Sequence, residues 1–381
     1  MSKSIKTLSV FGTRPEAVKM CPLVKTIQRD PRFTGVVCVT GQHRQMLDQA
    51  LQAFDVQPDY DLNLMRAGQT LSGITSAVLE GLGPVLEAEQ PDIVLVHGDT
   101  TTSFAAALAA FYQQIPVGHV EAGLRSGNKL SPFPEEMNRC LTGRIATLHF
   151  APTQSNANNL RREGIEYGIF VTGNTVIDAL FSLVQPNYTF QAGTLNKIPL
   201  AGKRTLLLTA HRRENLGEPL RNIFAAVLKL VELYEDVQVI YPVHLNPAVR
   251  EPARAKLGGH PRIHLIDPLD VLDMHNLMAR CHLVLTDSGG LQEEAPALGK
   301  PVLVLRTETE RPEAVEMGTV RIAGIESDGI LREARALLDD RRAYDAMANA
   351  VNPYGDGRAS QRICDAIAGT YFTESEVKRP C

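Results

Sequence analysis

His282-Leu-Val-Leu-Thr-Asp-Ser-Gly-Gly-Leu-Gln-Glu-Glu294 is a short apolar run that ends in a turn and reopens as a helix. Leu283 to Leu285 predicts a strand buried on both faces, and the helix is expected from about Leu291. Gly289 and Gly290 carry no side chain, so backbone N–H groups there can approach a ligand closely. The partial positive charge of a helix N-terminus makes a phosphate the expected guest. Glu294, one turn further in, would repel a bare phosphate but can accept hydrogen bonds from the hydroxyls of a ribose. Together these features point to a nucleotide. The plain alternative is a tight turn with Ser288 as helix N-cap.

The same strand-to-helix pattern recurs outward from this stretch. Thr205 to Thr209 ends in Ala210-His-Arg-Arg-Glu-Asn215, followed by Leu220, Ile223, Phe224, Val227, Leu228 and Val231 at helical spacing behind Pro219. Val237 to Tyr241 ends in Pro-Val-His244, and Ile263 to Ile266 and Val302 to Leu305 complete the set. The first third alternates likewise: Leu8 to Phe11, Val36 to Val39, Ile93 to Val96 and Val117 to Val120 are expected strands, with helical patterns over Thr70 to Glu89 and Thr101 to Gln113. Such alternation predicts an α/β fold of two similarly built, doubly wound parallel sheets, whose ligands sit beyond the carboxyl ends of the strands. Gly164 to Gly173 and Gln185 to Gly202 are the candidate junctions.

A length of 381 residues is too great for one ordinary core and agrees with two domains. The share of hydrophobic residues, 44%, and of charged ones, 22%, is that of a globular chain. A net charge of −4 argues against non-specific binding to nucleic acid or a membrane surface. The six cysteines are scattered without a Cys-x-x-Cys pair, no charged and apolar leader opens the chain, and a cytoplasmic location is expected. Gly-x-Gly-x-x-Gly after the first strand, a P-loop and His-Glu-x-x-His are all missing. The ten histidines show no metal-ligand spacing, so neither a nicotinamide cofactor nor a metal is expected.

Four polar clusters fall at strand ends in the first third: Gly12 to Glu16, Gly41 to Arg44, His97 to Thr100 and Glu121 to Arg125. Asp99 and Glu121 end neighbouring strands and should share a crevice, while Glu135 opens a helix after Ser131-Pro-Phe-Pro134. Carboxylates facing one pocket push their pKa values apart, which lets one site hold both an acid and a base. Singly, Asp99 also reads as a cap for the helix that follows, and Glu135 as a residue favoured at any helix N-terminus. His211 would serve the second sheet, although a lone histidine in a charged turn is ordinary surface.

These blocks resemble the non-hydrolysing UDP-N-acetylglucosamine 2-epimerases. The resemblance lies in Val10-Phe-Gly-Thr-Arg-Pro-Glu-Ala-Val-Lys-Met20, Val96-His-Gly-Asp-Thr-Thr-Thr102, Gly118-His-Val-Glu-Ala-Gly-Leu-Arg125, Pro132-Phe-Pro-Glu-Glu136 and Thr172-Gly-Asn-Thr-Val-Ile-Asp178. It continues through Ala210 to Asn215, Tyr241-Pro-Val-His-Leu-Asn-Pro247, Asp287 to Glu294 and Arg311-Pro-Glu-Ala314, so it spans nearly the whole chain. It implies a GT-B fold: two Rossmann-like domains facing across a cleft, here 1–172 joined by a terminal helix within 359–381, and 173–358. It also implies a homodimer with no cofactor. The implied reaction interconverts UDP-N-acetylglucosamine and UDP-N-acetylmannosamine for surface polysaccharides, by elimination of UDP to 2-acetamidoglucal and re-addition. By position, Asp99, Glu121, Glu135 and His211 match the family's catalytic residues. Arg14, Lys19, Arg139, Ser288, Gly289, Gly290 and Glu294 match substrate contacts. Met274 takes the place of a residue near the uracil, and on its own spacing reads as a core methionine of the helix Val271 to Ala279.

Gln42, Gln45, Gln69, Arg212 and His244 match a site at which many bacterial members bind a second UDP-N-acetylglucosamine as activator. Where those relatives carry an arginine just before the Gln-Thr pair, this chain has Gly68, with Arg66 two residues earlier. Three rivals stay in view: a hydrolysing 2-epimerase that releases the free sugar, a GT-B glycosyltransferase, and a nucleotide-sugar-binding regulator.

Overall fold

The computed structural model describes residues 4–41, 44–64 and 68–374, except the side chains at 44–46 and 372–374. The chain divides into two compact units, Met1–Ser182 with Tyr354–Cys381, and Leu183–Pro353.

The first unit is a parallel sheet of β1 (Ile5–Phe11), β2 (Phe33–Val39), β3 (Tyr60–Asp61), β4 (Ile93–His97), β5 (Val117–Val120), β6 (Leu148–Ala151) and β7 (Ile169–Val171). Its order is β3-β2-β1-β4-β5-β6-β7, so the winding reverses between β1 and β4. The middle strands are apolar on both faces because helices cover both. On one face the alanine-rich helix Thr101–Tyr112 sets Ala105, Ala106, Ala109 and Ala110 against Val10, Val94 and Val96. Small side chains let that helix lie close to the sheet, which brings its N-terminus up to the end of β4. The terminal helix, Ala359–Glu374, belongs to this unit too, with Ile363, Cys364, Ile367 and Ala368 buried and Arg32 Nη2 2.7 Å from Asp365.

The second unit is a parallel sheet of β8 (Arg204–Thr209), β9 (Val237–Pro242), β10 (Ile263–Ile266), β11 (Leu283–Thr286), β12 (Val302–Val304) and β13 (Val320–Ile322). The order is β10-β9-β8-β11-β12-β13, with the reversal between β8 and β11. Helix Glu218–Leu233 buries Leu220, Ile223, Phe224, Val227, Leu230 and Val231 on Leu206, Leu208, Val239 and Tyr241. Each such aliphatic side chain contributes about 1.5–3 kcal/mol of transfer free energy, an upper bound given the compactness of unfolded chains.

Both sheets follow the expected α/β winding, and three boundaries differ from expectation. The first unit extends one helix beyond residue 172, because Asp178 on helix Thr175–Leu183 accepts the N–H groups of Ala359 (3.0 Å) and Ser360 (2.8 Å) and so caps the terminal helix. Gly164 to Gly173 is no junction: it holds β7, a half-exposed edge strand too short for its apolar pattern to register. The helix after β11 begins at Gly289, two residues before Leu291, because the weak helix preference of the two glycines hides its first turn from a sequence reading. Among the described residues no helix is long and apolar enough to cross a membrane.

Candidate functional site

In the first unit, the loops after β1 and β4 flank the switch point, where a doubly wound sheet leaves a crevice. Glu16 ties them together. Its buried carboxylate accepts the N–H groups of Gly12 (3.0 Å) and Thr13 (2.7 Å) from one loop, and the hydroxyls of Thr100 (2.6 Å) and Ser103 (2.9 Å) from the other. Arg14 therefore starts helix Arg14–Arg29 at a fixed place, half-exposed. Thr100, not Asp99, caps the helix after β4, through Ser103 N–H at 3.0 Å. Asp99 is thus released from the local role its sequence position suggested.

Gly98 has φ +65, which turns the chain so that Asp99 projects from the strand end. Asp99 Oδ2 lies 2.8 Å from Arg139 Nη2. Burial pushes its pKa above the ordinary value against the pull of Arg139, and the charge of Glu121 adds to the rise. Glu121 sits at φ +63, a left-handed conformation costly for a residue with a side chain, and its carboxylate is gripped from several sides. Lys19 donates to it, Asn174 Nδ2 donates at 3.0 Å, and His97 Nε2 stands 3.5 Å away. Burial works to raise the pKa of Glu121, but the ammonium of Lys19 and the imidazole of His97 more than offset it and hold it well below the carboxylate range. His119, whose pKa burial lowers to about 3, pairs with the Gly98 carbonyl at 2.7 Å and steadies the same turn.

Glu135 opens helix Glu135–Ile145 as expected, half-exposed. Among the described residues its carboxylate meets no hydrogen-bond or ion-pair partner, whereas the adjacent Glu136 is spent on Ser126 and Gly127 N–H groups, both at 3.0 Å. Arg139, one turn on, donates through Nε to the Glu135 carbonyl at 3.4 Å while holding Asp99.

In the second unit, the loops after β8 and β11 flank the corresponding switch point. Ser288 stands at the N-cap position of helix Gly289–Ala297, yet its hydroxyl makes no capping hydrogen bond. The tight-turn reading is therefore incomplete, because the first N–H groups of the helix keep their capacity for a ligand. A Cβ on Gly289 would lie 3.8 Å from Arg311 Nη2 and 3.9 Å from Arg212 Nη2, so two guanidinium groups border the turn. Glu294 receives His275 Nε2 at 3.2 Å. Met274, on helix Val271–Arg280, is half-exposed, and the buried methionine of that helix is Met278. Met274 lies three and four residues before Leu277 and Met278, on the same side of the helix but in its less buried first turn.

His211 follows β8 and stacks on His244, ring centroids 5.5 Å apart and planes 12° apart. Burial lowers its pKa, Asp287 opposes that, and His244 and Arg212 reinforce it. Gln69 donates to the Leu64 carbonyl at 2.8 Å. Gln42, the side chain of Gln45 and Arg66 lie outside the described residues.

The first unit thus brings together Lys19 with Glu121 and Asp99 with Arg139. The second brings together Ser288, Gly289 and Arg212 at one turn, and His211 with His244. Sequence reading assigned no role to Glu16, His97, Asn174, Asp287 and Arg311; Glu16, His97 and Asp287 stand in strand-end clusters, and for them that position was the available signal. Among the described residues no group of three or more His, Cys, Asp or Glu side chains is placed to hold a metal ion.

The chain is similar to known proteins along nearly its whole length. A family model described as UDP-N-acetylglucosamine 2-epimerase matches residues 25–368. A Bacillus subtilis UDP-N-acetylglucosamine 2-epimerase is 56% identical over 98% of this chain and 98% of its own. A solved structure from Listeria monocytogenes superposes with a TM-score of 0.93 at 55% identity, covering 97% of this chain and 98% of that one. The UDP-GlcNAc 2-epimerase of Neisseria meningitidis, solved bound to UDP-GlcNAc, gives a TM-score of 0.83 at 48% identity, covering 96% and 100%.

Proposed function

The chain belongs to the UDP-N-acetylglucosamine 2-epimerase family and is an isomerase of the non-hydrolysing type, and from that premise we propose how its residues invert C2. The C2 proton of the sugar is not beside a carbonyl, so no side-chain base removes it from the intact substrate. The C1–O bond must break first. UDP leaves with the bonding pair, an oxocarbenium-like centre forms at C1, and a base takes the C2 proton while the C2–H pair becomes the C1=C2 bond of 2-acetamidoglucal. Protonation of C2 on the other face and return of the UDP oxygen to C1 give UDP-N-acetylmannosamine.

The opposite displacement of Asp99 and Glu121 carries this reading. Glu121, held anionic by Lys19 and His97, is too weak a base to take a carbon-bound proton and suits the cationic C1. Asp99, whose proton is bound more tightly, suits exchange with C2. Glu135, which meets no partner among the described residues, is the proton carrier for the opposite face. Arg14 and Arg139 meet the substrate beside them. In the second unit, Ser288, Gly289 and Gly290 with their helix N-terminus receive the diphosphate, Glu294 the ribose hydroxyls, Met274 the uracil edge and His211 the departing phosphate.

Positional isotope exchange tests the step. UDP-N-acetylglucosamine carrying oxygen-18 in the C1–O bridge should scramble the label into the non-bridging oxygens of the β-phosphate. Label fixed in the bridge while C2 inverts would reject elimination.

The same reading makes a second UDP-N-acetylglucosamine an activator at Gln42, Gln45, Gln69, Arg212 and His244, supported by the stacking of His244 on His211. Adding it should raise the rate of the reverse reaction, and an unchanged rate would reject regulation. A homodimer in the cytoplasm, supplying N-acetylmannosamine units for surface polysaccharide, completes the proposal.

A further inference from the structure

Asp287 directly follows β11 and is fully buried. One carboxylate oxygen, Oδ2, accepts the backbone N–H groups of His211 (2.7 Å) and Arg212 (2.8 Å) and the Asn215 side-chain amide (3.0 Å). The other, Oδ1, has no hydrogen-bond partner among the described residues and lies 3.6 Å from His211 Nδ1. A buried anion with an unmet acceptor is costly unless a donor reaches it in the working state. The imidazole of His211 is the group in position, and its plane is already fixed by the stack on His244.

We propose that Asp287 is a positioning residue for His211: it holds the Nδ1–H tautomer with the ring's first nitrogen turned to the buried carboxylate, so that Nε2 is the nitrogen that meets the departing diphosphate. The inference rests on the epimerase reading of His211 and extends it to a buried residue behind the ring. A neutral ring so held offers Nε2 as an acceptor, and the protonated ring offers it as a donor to a phosphate oxygen. The negative charge of Asp287 favours the protonated ring as UDP gains charge on leaving. Asp287 also directly precedes Ser288, and its carbonyl receives Arg212 Nε at 3.3 Å, so one residue sets both the histidine and the edge of the phosphate turn. Among the described residues, the charged and titratable groups acting on His211 are Asp287, which favours the imidazolium, and His244 and Arg212, which oppose it.

The decisive measurement needs no substrate. Nitrogen-15 correlation spectra of histidine-labelled protein, with the His211 signals identified by their loss in His211→Asn, should place the proton of the neutral ring on Nδ1. A wild-type ring protonated on Nε2 overturns the proposal. Asp287→Asn presents an amide N–H to Nδ1 in place of an acceptor and should drive the ring to the Nε2–H tautomer. Its kcat should fall about 100-fold or more with KM changed far less, and the basic limb of its kcat profile should move to lower pH. Wild-type kcat in a folded Asp287→Asn protein would also overturn it. If that variant fails to fold, the wild-type tautomer alone decides. A chain with the Nδ1–H tautomer but no epimerisation would reject the reaction and leave the pairing standing.

Discussion

The two switch points share a strand order and differ in what their loops offer. At β1/β4 the two candidate carboxylates at the strand ends are already answered within the unit, Glu121 by Lys19 and Asn174, Asp99 by Arg139. At β8/β11 the candidate groups are a glycine turn, a helix N-terminus without a side-chain cap and guanidinium groups beside it. One sheet plan therefore serves two chemistries. On the proposed reading, carboxylates displaced to opposite sides of their ordinary pKa serve the reaction at carbon, and an open backbone turn serves an anion that leaves and returns. The winding supplies the place, and the loop residues supply the chemistry.

The contrast breaks most visibly if a carboxylate proves dispensable. Asp99→Asn should lower turnover about 1,000-fold in an NMR assay of sugar interconversion while UDP affinity stays within about twofold. Near-normal turnover would remove the first switch point from the chemistry. Gly289→Ala probes the other side. The protein has room for the methyl group, with its nearest neighbour 3.8 Å away, so a rise of about tenfold in KM, roughly 1.4 kcal/mol, would report a ligand displaced from the turn.

Lys19→Met sharpens the comparison through pH. Lys19 helps to depress the pKa of Glu121 against burial, so without it that pKa rises and the acid limb of kcat/KM moves to higher pH. Stability follows the same sign. A depressed carboxylate contributes above its unfolded pKa and loses that contribution as pH falls through the folded value, so the loss begins at higher pH in Lys19→Met. An acid limb and acid unfolding that do not move would separate Lys19 from Glu121. The smallest effect is expected of Met274→Leu, with KM within about twofold, because a half-exposed thioether there fixes no hydrogen bond.

The sheets were legible because both-face burial writes continuous apolar runs, as in Leu206 to Leu208 and Val94 to Val96. β3 and β7 were not, being short edge strands whose residues are mostly half-exposed. Among the site residues, Asp99 and Glu121 could be read from their place at adjacent strand ends. Asn174 could not, because its link to Glu121 joins segments far apart in the chain and leaves no periodic trace. Asp287 was visible as part of a turn, but only the geometry separates its two oxygens, one saturated by backbone donors and one aimed at His211.

Proton exchange at the sugar tests the division of labour most directly. Incubated in deuterium oxide with UDP-N-acetylglucosamine alone, the protein should place deuterium at C2 of UDP-N-acetylmannosamine and, by reversal, of the recovered substrate, and Asp99→Asn should abolish that incorporation. Epimerised product that retains its original C2 hydrogen would contradict the account.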